Sequence, residues 1–323
     1  MALKLACAFA TSLDTPEHSR IAEELGFERA WFYDSPALYP DVWVQLCRAA
    51  ERTTKIGLGT GVLVPHLRHP MVNAAAIATL VEAAGQDRVT IGVGTGFTAC
   101  VCMGQRPLTW SYVSNYVRVL RALLKGEEVE WEGGWMKMLH WPGYGAVRPI
   151  DVPIVYAVGG PKGIAAAKAE ADGAFTLFAG MPDFDWCVSL VLGTVLEDGE
   201  DPGSARALDA AGHGGAVAFH YAVEHDMLET VTAGEAWLKS YRDMPKDTRH
   251  LVMHNGHLCG VNEHDRPFVT GDLLKSNGLA LDRAQWRDRI VALEAEGTTE
   301  VAFQPAGHDI PRELEAFASV VKA

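Results

Sequence analysis

The most informative chemical pattern in the chain is a Gly-Gly turn that leads directly into a predicted helix. Gly159 and Gly160 follow an apolar run, and Pro161 and Lys162 open the next helical segment. Free backbone N–H groups at the positive end of a helix suit a phosphate, and Lys162 adds a mobile cation. Glycine is also the ordinary residue for a tight strand–helix turn. The residues alone therefore leave a phosphate site and a purely structural turn equally open.

Two more glycine-rich segments follow apolar runs earlier in the chain. Thr60–Gly61 ends one run, and Gly94–Gly96 ends the next. The second segment is not a dinucleotide fingerprint, because it lacks the G-x-G-x-x-G spacing and the acidic residue about 20 positions later. Small residues at a strand end let a flat molecule approach the backbone closely. Together with the Gly159–Lys162 turn, these segments favour a planar cofactor with a phosphate tail.

Charged and titratable side chains give weaker signals. Asp34 ends an aromatic run, where a carboxylate needs a hydrogen-bonding partner or a bound ligand. His66, Arg68 and His69 form a charged cluster that is better explained as a solvated helix start than as a catalytic group. His220 falls on a predicted strand, where it either lines a pocket or is a satisfied core histidine.

Several classes of site are disfavoured by the sequence. No G-x-S-x-G elbow is present, which argues against a nucleophilic hydrolase. Cys100 and Cys102 have no second ligand pair at zinc-site spacing, so no metal site is expected there. The six cysteines contain no C-x-x-C pair, and reduced, buried thiols in a cytoplasmic protein are the simpler interpretation.

Charge and hydropathy limit the partners. The formal net charge of −13 disfavours nucleic acid and anionic membrane surfaces. The apolar run near the N-terminus is shorter than the core of a signal peptide. No apolar stretch reaches the roughly 18 residues of a membrane span. We therefore expect a cytoplasmic enzyme with a small-molecule substrate.

The elements that must position these residues alternate between short apolar runs and helical patterns. Such alternation predicts parallel strands joined by helical crossovers. Eight units predict an α/β fold, a closed (β/α)8 TIM barrel with insertions, over a single domain of residues 1–323. The active site of such a barrel lies at the C-terminal ends of its strands. The predicted strands are 3–10, 28–35, 55–65, 87–96, 152–160, 173–179, 216–223 and 299–305.

Three segments in this order resemble one known family. The runs GTGVLVPHLRHP, IGVGTGF and VYAVGGPKGIAAAKAEADGAF are similar to those of the luciferase-like flavin and deazaflavin oxidoreductases, and most similar to the F420-dependent branch. The resemblance implies a luciferase-like TIM barrel, a homodimer, and F420 in preference to FMN. F420 implies hydride transfer with a small organic substrate, whereas FMN would permit a monooxygenase. A barrel that binds flavin without turnover, or has lost its cofactor, is a third possibility.

The resemblance also implies roles for individual residues in cofactor binding. Gly61 and Val62 occupy the position of the family's non-prolyl cis peptide, which supports the back face of the ring beside Thr60. The ring or its ribityl chain would contact Asp34, Thr95 and Gly96. The phosphate would be surrounded by Gly159, Gly160, Pro161 and Lys162.

Two positions depart from the family pattern. The F420-dependent sugar-phosphate and alcohol dehydrogenases carry a histidine and a glutamate where this chain has Ser35 and Phe97. That pair handles the proton that leaves when an alcohol becomes a carbonyl, so alcohol oxidation is disfavoured. We expect Ser35, Phe97 and His220 to line the substrate pocket, and no catalytic acid or base can be assigned.

Overall fold

The barrel is built from eight parallel strands that close on themselves. A computed structural model describes residues 3–322 of the chain. The twelve strands in that range, numbered in chain order, are β1 (Lys4–Phe9), β2 (Arg29–Phe32), β3 (Gly57–Leu63), β4 (Val89–Val93), β5 (Val129–Trp131), β6 (Gly134–Met136), β7 (Ile154–Ala157), β8 (Gly173–Leu177), β9 (Cys187–Leu192), β10 (Thr194–Val195), β11 (Ala280–Leu281) and β12 (Glu300–Gln304).

Hydrogen bonding closes the barrel in the order β1, β2, β3, β4, β7, β8, β9 and β12, and β12 pairs back with β1. Every neighbouring pair in this circle is parallel. The predicted α/β fold and the eight-stranded TIM barrel are therefore confirmed. The strands β5 and β6 form an antiparallel hairpin outside the barrel.

Helices alternate with the barrel strands along the chain. The α-helices of the described residues are α1 (Thr15–Glu24), α2 (Val42–Ala50), α3 (Pro70–Ala84), α4 (Phe97–Cys102), α5 (Trp110–Lys125), α6 (Pro161–Glu170), α7 (Ala205–Glu224), α8 (Gly234–Ser240), α9 (Arg249–Met253), α10 (Gly271–Ser276), α11 (Arg283–Ala295) and α12 (Ile310–Val321). None of the helices in residues 3–322 combines the length and apolar character that crossing a membrane requires.

The predicted seventh strand is wrong. Residues 216–223 lie inside α7, a helix of 20 residues that begins where Ser204 accepts a hydrogen bond from the N–H of Ala207. A short apolar run cannot be assigned to a strand or a buried helix by periodicity alone. The seventh barrel strand is β9, whose sequence CVSLVL is the continuous apolar run expected of a strand covered on both faces.

Large side chains fill the inside of the barrel below its mouth. Trp31 and Phe175 meet edge to face, with ring centroids 5.2 Å apart. The indole N–H of Trp31 donates to the buried carboxylate of Glu300, which also pairs with Arg29. Among the described residues, this packed layer fills part of the barrel interior beneath the C-terminal ends of the strands.

Candidate active site

Two adjoining cavities open at the C-terminal ends of the barrel strands. Their volumes are about 620 Å³ and about 280 Å³, within or near the range of small-molecule sites. The larger cavity lies over β7, β8 and β9, and the smaller one lies over β2, β3 and β4. Residues that line both cavities are Gly61, Val62, Phe97, Thr98, Ala157, Leu190 and Leu258.

The Gly159–Gly160 turn forms an open corner of the larger cavity. A Cβ atom added at Gly159 or Gly160 would meet no atom within 4 Å. Gly160 is the N-cap of α6, and no side chain of residues 3–322 caps this helix. The glycines therefore leave a space in front of a positive helix end, and the protein does not fill it.

The resemblance correctly predicts an unusual peptide at the end of β3. The bond between Gly61 and Val62 is cis, and the pairing of β3 with β4 shifts between Thr60 and Leu63. The segment 61–62 lines both cavities. It therefore forms the ridge between them.

Close packing explains the glycines at the end of β4. A Cβ atom at Gly94 would lie 2.9 Å from a methyl group of Val62, and one at Gly96 would lie 2.2 Å from a methyl group of Val64. Gly96 also has a positive φ of 71°, which disfavours other residues. Glycine is needed here to bring the two strand ends together, and Thr95 between them lines the smaller cavity.

Asp34 is held by the protein at the rim of the smaller cavity. Its carboxylate accepts hydrogen bonds from Arg68 at 2.8 and 2.9 Å and from the N–H of Val64 at 3.3 Å. Burial raises the pKa of Asp34, and the guanidinium of Arg68 holds that rise back. The same guanidinium also pairs with Asp41. The carboxylate that seemed to need a ligand is thus satisfied within the protein.

The prediction for the cluster at 66–69 is partly wrong. His66 and His69 are exposed, and His69 accepts a hydrogen bond from the first turn of α3, as a solvated helix start predicts. The side chain of Arg68, however, is only 13% exposed, because it pairs with the buried Asp34. Sequence spacing gave no sign of this ion pair, which joins two segments 34 residues apart.

The remaining predicted cofactor residues, Thr60, Pro161 and Lys162, differ in their exposure to solvent. Thr60 is fully buried, and its hydroxyl donates to the carbonyl of Gly92 at 2.9 Å. Pro161 and Lys162 lie exposed on the first turn of α6, beside the open corner. Thr60 lines neither cavity, so the prediction that it contacts the cofactor finds no support in this geometry.

The three predicted substrate-pocket residues all lie at the barrel mouth. Ser35 and Phe97 line the smaller cavity, and Phe97 also reaches the larger one, where it stacks on His225 with centroids 5.3 Å apart. His220 lines the larger cavity from α7, and not from a strand as predicted. Phe97 thus lines a cavity with each of the other two residues, whereas Ser35 and His220 line different cavities.

Sequence reasoning missed two histidines in the larger cavity. His254 and His257 belong to the turn after α9, and they face His220. This turn is tied to the barrel because Tyr39 donates to the carbonyl of His257 at 2.8 Å and Gln304 donates to that of Leu258 at 2.8 Å. The available signal was two histidines three residues apart, far from any predicted strand end.

Comparison with known proteins decides the family. The family model described as luciferase-like monooxygenase matches residues 12–242. The chain belongs to the luciferase-like family. Its closed eight-stranded barrel agrees with this membership.

Curated relatives of this luciferase-like chain are named as a reductase and as an F420-dependent dehydrogenase. A 5,10-methylenetetrahydromethanopterin reductase from Methanolobus tindarius is 30% identical over 198 residues, which are 59% of this chain and 58% of that protein. An F420-dependent glucose-6-phosphate dehydrogenase from Intrasporangium calvum is 30% identical over 176 residues, which are 49% of this chain and 51% of that protein. The chain spans between half and three fifths of the length of these relatives.

Solved structures match the luciferase-like fold over nearly the whole chain. An F420-dependent tetrahydromethanopterin reductase from Methanopyrus kandleri has a TM-score of 0.68 and 19% identity, covering 100% of this chain and 99% of that one. An F420-dependent secondary alcohol dehydrogenase in complex with an F420-acetone adduct has a TM-score of 0.67 and 18% identity, covering 99% and 98%. At these identities the likeness shows the fold alone.

Proposed function

We propose that this protein is an F420-dependent oxidoreductase that moves a hydride between the deazaflavin and a small organic substrate. The observation that carries the proposal is the open Gly159–Gly160 corner. It places an uncapped helix end at one side of a cavity that also contains the Gly61–Val62 ridge. The similarity to a curated F420-dependent glucose-6-phosphate dehydrogenase supports F420 over FMN.

The proposed cofactor site uses backbone groups more than side chains. Gly159, Gly160, Pro161 and Lys162 would hold the phosphate, because the helix end offers N–H donors and Lys162 offers a cation. Gly61 and Val62 would support the flat ring. The buried Thr60 would act beneath them, by holding the end of β3 against β4. Asp34, Thr95 and Gly96 would lie beside the ring or its ribityl chain. Since Asp34 already pairs with Arg68, we assign it to shaping this wall.

The substrate side favours reduction of a polarised double bond over oxidation of an alcohol. The larger cavity is lined by four histidines, and none of its described lining residues is a carboxylate. The smaller cavity has only Asp34, which is paired. Ser35 and Phe97 carry no strong base at the two positions where alcohol dehydrogenases of the family have one. F420 supplies the hydride chemistry itself, so this chain must mainly bind, orient and exclude water.

The other predictions about the protein as a whole remain proposals. They are a single domain over residues 1–323, a homodimer, a cytoplasmic location and no nucleic-acid partner. Analytical ultracentrifugation of the purified chain checks the homodimer directly, since a sedimenting species with the mass of one chain would contradict it.

Separate titrations of F420 and FMN into the apoprotein test the proposed function. We expect F420 to bind with a dissociation constant in the micromolar range or below, and FMN to bind far more weakly. FMN binding together with NADH-linked oxygen uptake would instead show a monooxygenase. Binding weaker than about 1 mM for both cofactors would show a barrel without a redox cofactor.

A further inference from the structure

Three buried imidazoles converge in the wall of the larger cavity. His220 comes from α7, and His254 and His257 come from the turn after α9. One ring nitrogen of each lies within 4.8 Å of the other two. The Nδ1 atoms of His220 and His257 are 3.3 Å apart, and those of His254 and His257 are 3.5 Å apart.

These separations match those between ligands of one metal ion. Zinc binds imidazole nitrogen at about 2.0–2.1 Å, so two nitrogens of a tetrahedral site lie about 3.4 Å apart. Hydrogen bonding alone explains the contacts less well. A ring nitrogen of a neutral histidine either donates or accepts, so His257 Nδ1 cannot donate to one neighbour while it accepts from the other. A cation would take up a lone pair from each ring at once.

A buried carboxylate fixes the orientation of His220. The Nε2 atom of His220 lies 2.9 Å from Asp265 Oδ2. When Nε2 donates to this carboxylate, the Nδ1 lone pair of His220 is directed at the cluster. Trp237 and Tyr241 donate to Asp265 Oδ1, both at 2.7 Å, and Asn262 donates to Oδ2 at 2.8 Å. A carboxylate that holds the second nitrogen of a ligand histidine is the usual outer shell of a metal site.

The three histidines of the cluster are buried. His220, His254 and His257 are 2%, 4% and 8% exposed. Their ring nitrogens therefore have little access to bulk water, and a metal ion would supply a partner for those that face the cluster.

We propose that His220, His254 and His257 bind one divalent transition-metal ion, foremost Zn²⁺. Membership of the luciferase-like family does not imply this site. Three imidazoles leave a fourth position open, which is the pattern of catalytic rather than structural zinc sites. All three rings line the larger cavity, so the open position faces the space proposed for the substrate. There the ion would bind a carbonyl or hydroxyl oxygen. This role rests on the proposed function, whereas metal binding itself does not.

Metal content of the tag-free, full-length protein tests the proposal without any cofactor. The protein is stripped with a chelator, loaded with Zn²⁺ or Co²⁺, passed through a desalting column and analysed by mass spectrometry of the metal. We expect one ion per chain and the visible absorption bands of tetrahedral Co²⁺. A reloaded protein that retains no Zn²⁺ after desalting, and shows no such bands with Co²⁺, would overturn the proposal.

Variants test which histidines bind the ion, by comparing a proposed ligand with a histidine outside the cluster. His257→Gln should abolish Co²⁺ absorption, and Asp265→Asn should weaken Zn²⁺ affinity roughly 10- to 100-fold. His308→Ala is the matched control, because its side chain is 96% exposed and lies outside the cluster. Circular dichroism of the metal-free variants verifies that they fold. Zn²⁺ binding by folded His257→Gln equal to that of the wild type would refute the site. F420 titration of the metal-free protein reports on the proposed function separately, so either proposal can fail alone.

Discussion

At the barrel mouth, some functional residues could be predicted from the sequence and others could not. Gly159 and Gly160 stand out in the sequence as two glycines before a helix, and the structure leaves the space above them open. Their role in binding a phosphate stays a prediction. His254 and His257 were not recognisable, since their proximity to His220 depends on a turn after α9 that no strand pattern predicts. Motifs within one segment are visible in a sequence, whereas sites assembled from distant segments are not.

Phe97 offers a test of the substrate side at the scale of one residue. It begins α4 and lines both cavities, so Phe97→Glu adds a carboxylate to the wall of each cavity. We expect the variant to gain F420 reduction with a secondary alcohol on the order of 100-fold, with a new ionisation in the pH profile, because a general base is added. The measurement is the loss of F420 absorbance over a range of pH.

Phe97→Gln is the matched control for that variant, because it has the same size as the glutamate without its charge. If Phe97→Glu and Phe97→Gln behave alike at every pH, residue 97 does not face the reacting part of the substrate.

At the scale of elements, most strands were predictable and one was not. Short apolar runs bounded by glycine correctly located β3, β4 and β7. A strand that is covered on both faces appears in the sequence as a continuous apolar run. The prediction placed the seventh strand at residues 216–223 instead of at β9, and this error has a physical cause. Both runs are short and apolar, and the N-cap Ser204 that marks the helix lies twelve residues before the second run.

One group of ion pairs links three elements of the fold and can be tested at this scale. It joins the end of β2, the segment before α3 and the start of α2. Arg68 pairs with the buried Asp34 and with Asp41, whose side chain is 47% exposed and also caps α2. Asp34→Ala should lower the free energy of unfolding by about 3 kcal/mol, since it leaves a mostly buried cation short of its partner. Asp41→Ala should cost about 1 kcal/mol, the loss of a helix cap.

Urea denaturation of the two variants measures both losses under the same conditions. Equal losses for Asp34→Ala and Asp41→Ala would contradict the claim that burial makes the Asp34–Arg68 pair the stronger one.

At the scale of the whole molecule, a buried histidine links stability to pH. His213 is fully buried in α7, and neither ring nitrogen has a hydrogen-bond partner among the described residues. Burial lowers its pKa from 6.5 to about 4. Below pH 6.5 the unfolded chain binds a proton that the folded chain does not, so this stability is present above pH 6.5 and is lost as the pH falls towards 4. The contribution is about 3 kcal/mol.

We expect His213→Leu to flatten the decline of the unfolding free energy between about pH 6.5 and about pH 4.5, because an apolar side chain there binds no proton in either state. Urea denaturation of the wild type and the variant at several pH values gives the two slopes. Parallel slopes would mean that His213 does not titrate on unfolding.

The fold class of the whole molecule followed from the alternation of elements, but its ligand did not. A (β/α)8 barrel supports many chemistries, and function depends on the loops at its mouth. The preference for F420 comes from the resemblance and the relatives, and the geometry adds a cavity with an open helix end.

The most direct test of this account is the F420 affinity of Gly160→Leu. A side chain at residue 160 has room to form, so the variant should fold, but it would occupy the corner proposed for the phosphate. Gly134→Leu is the matched control, because residue 134 is an exposed hairpin glycine with only an ordinary contact at its Cβ position. We predict that fluorescence titration shows F420 binding by the wild type and Gly134→Leu and its loss in Gly160→Leu. An unchanged dissociation constant in folded Gly160→Leu would contradict the proposed cofactor site.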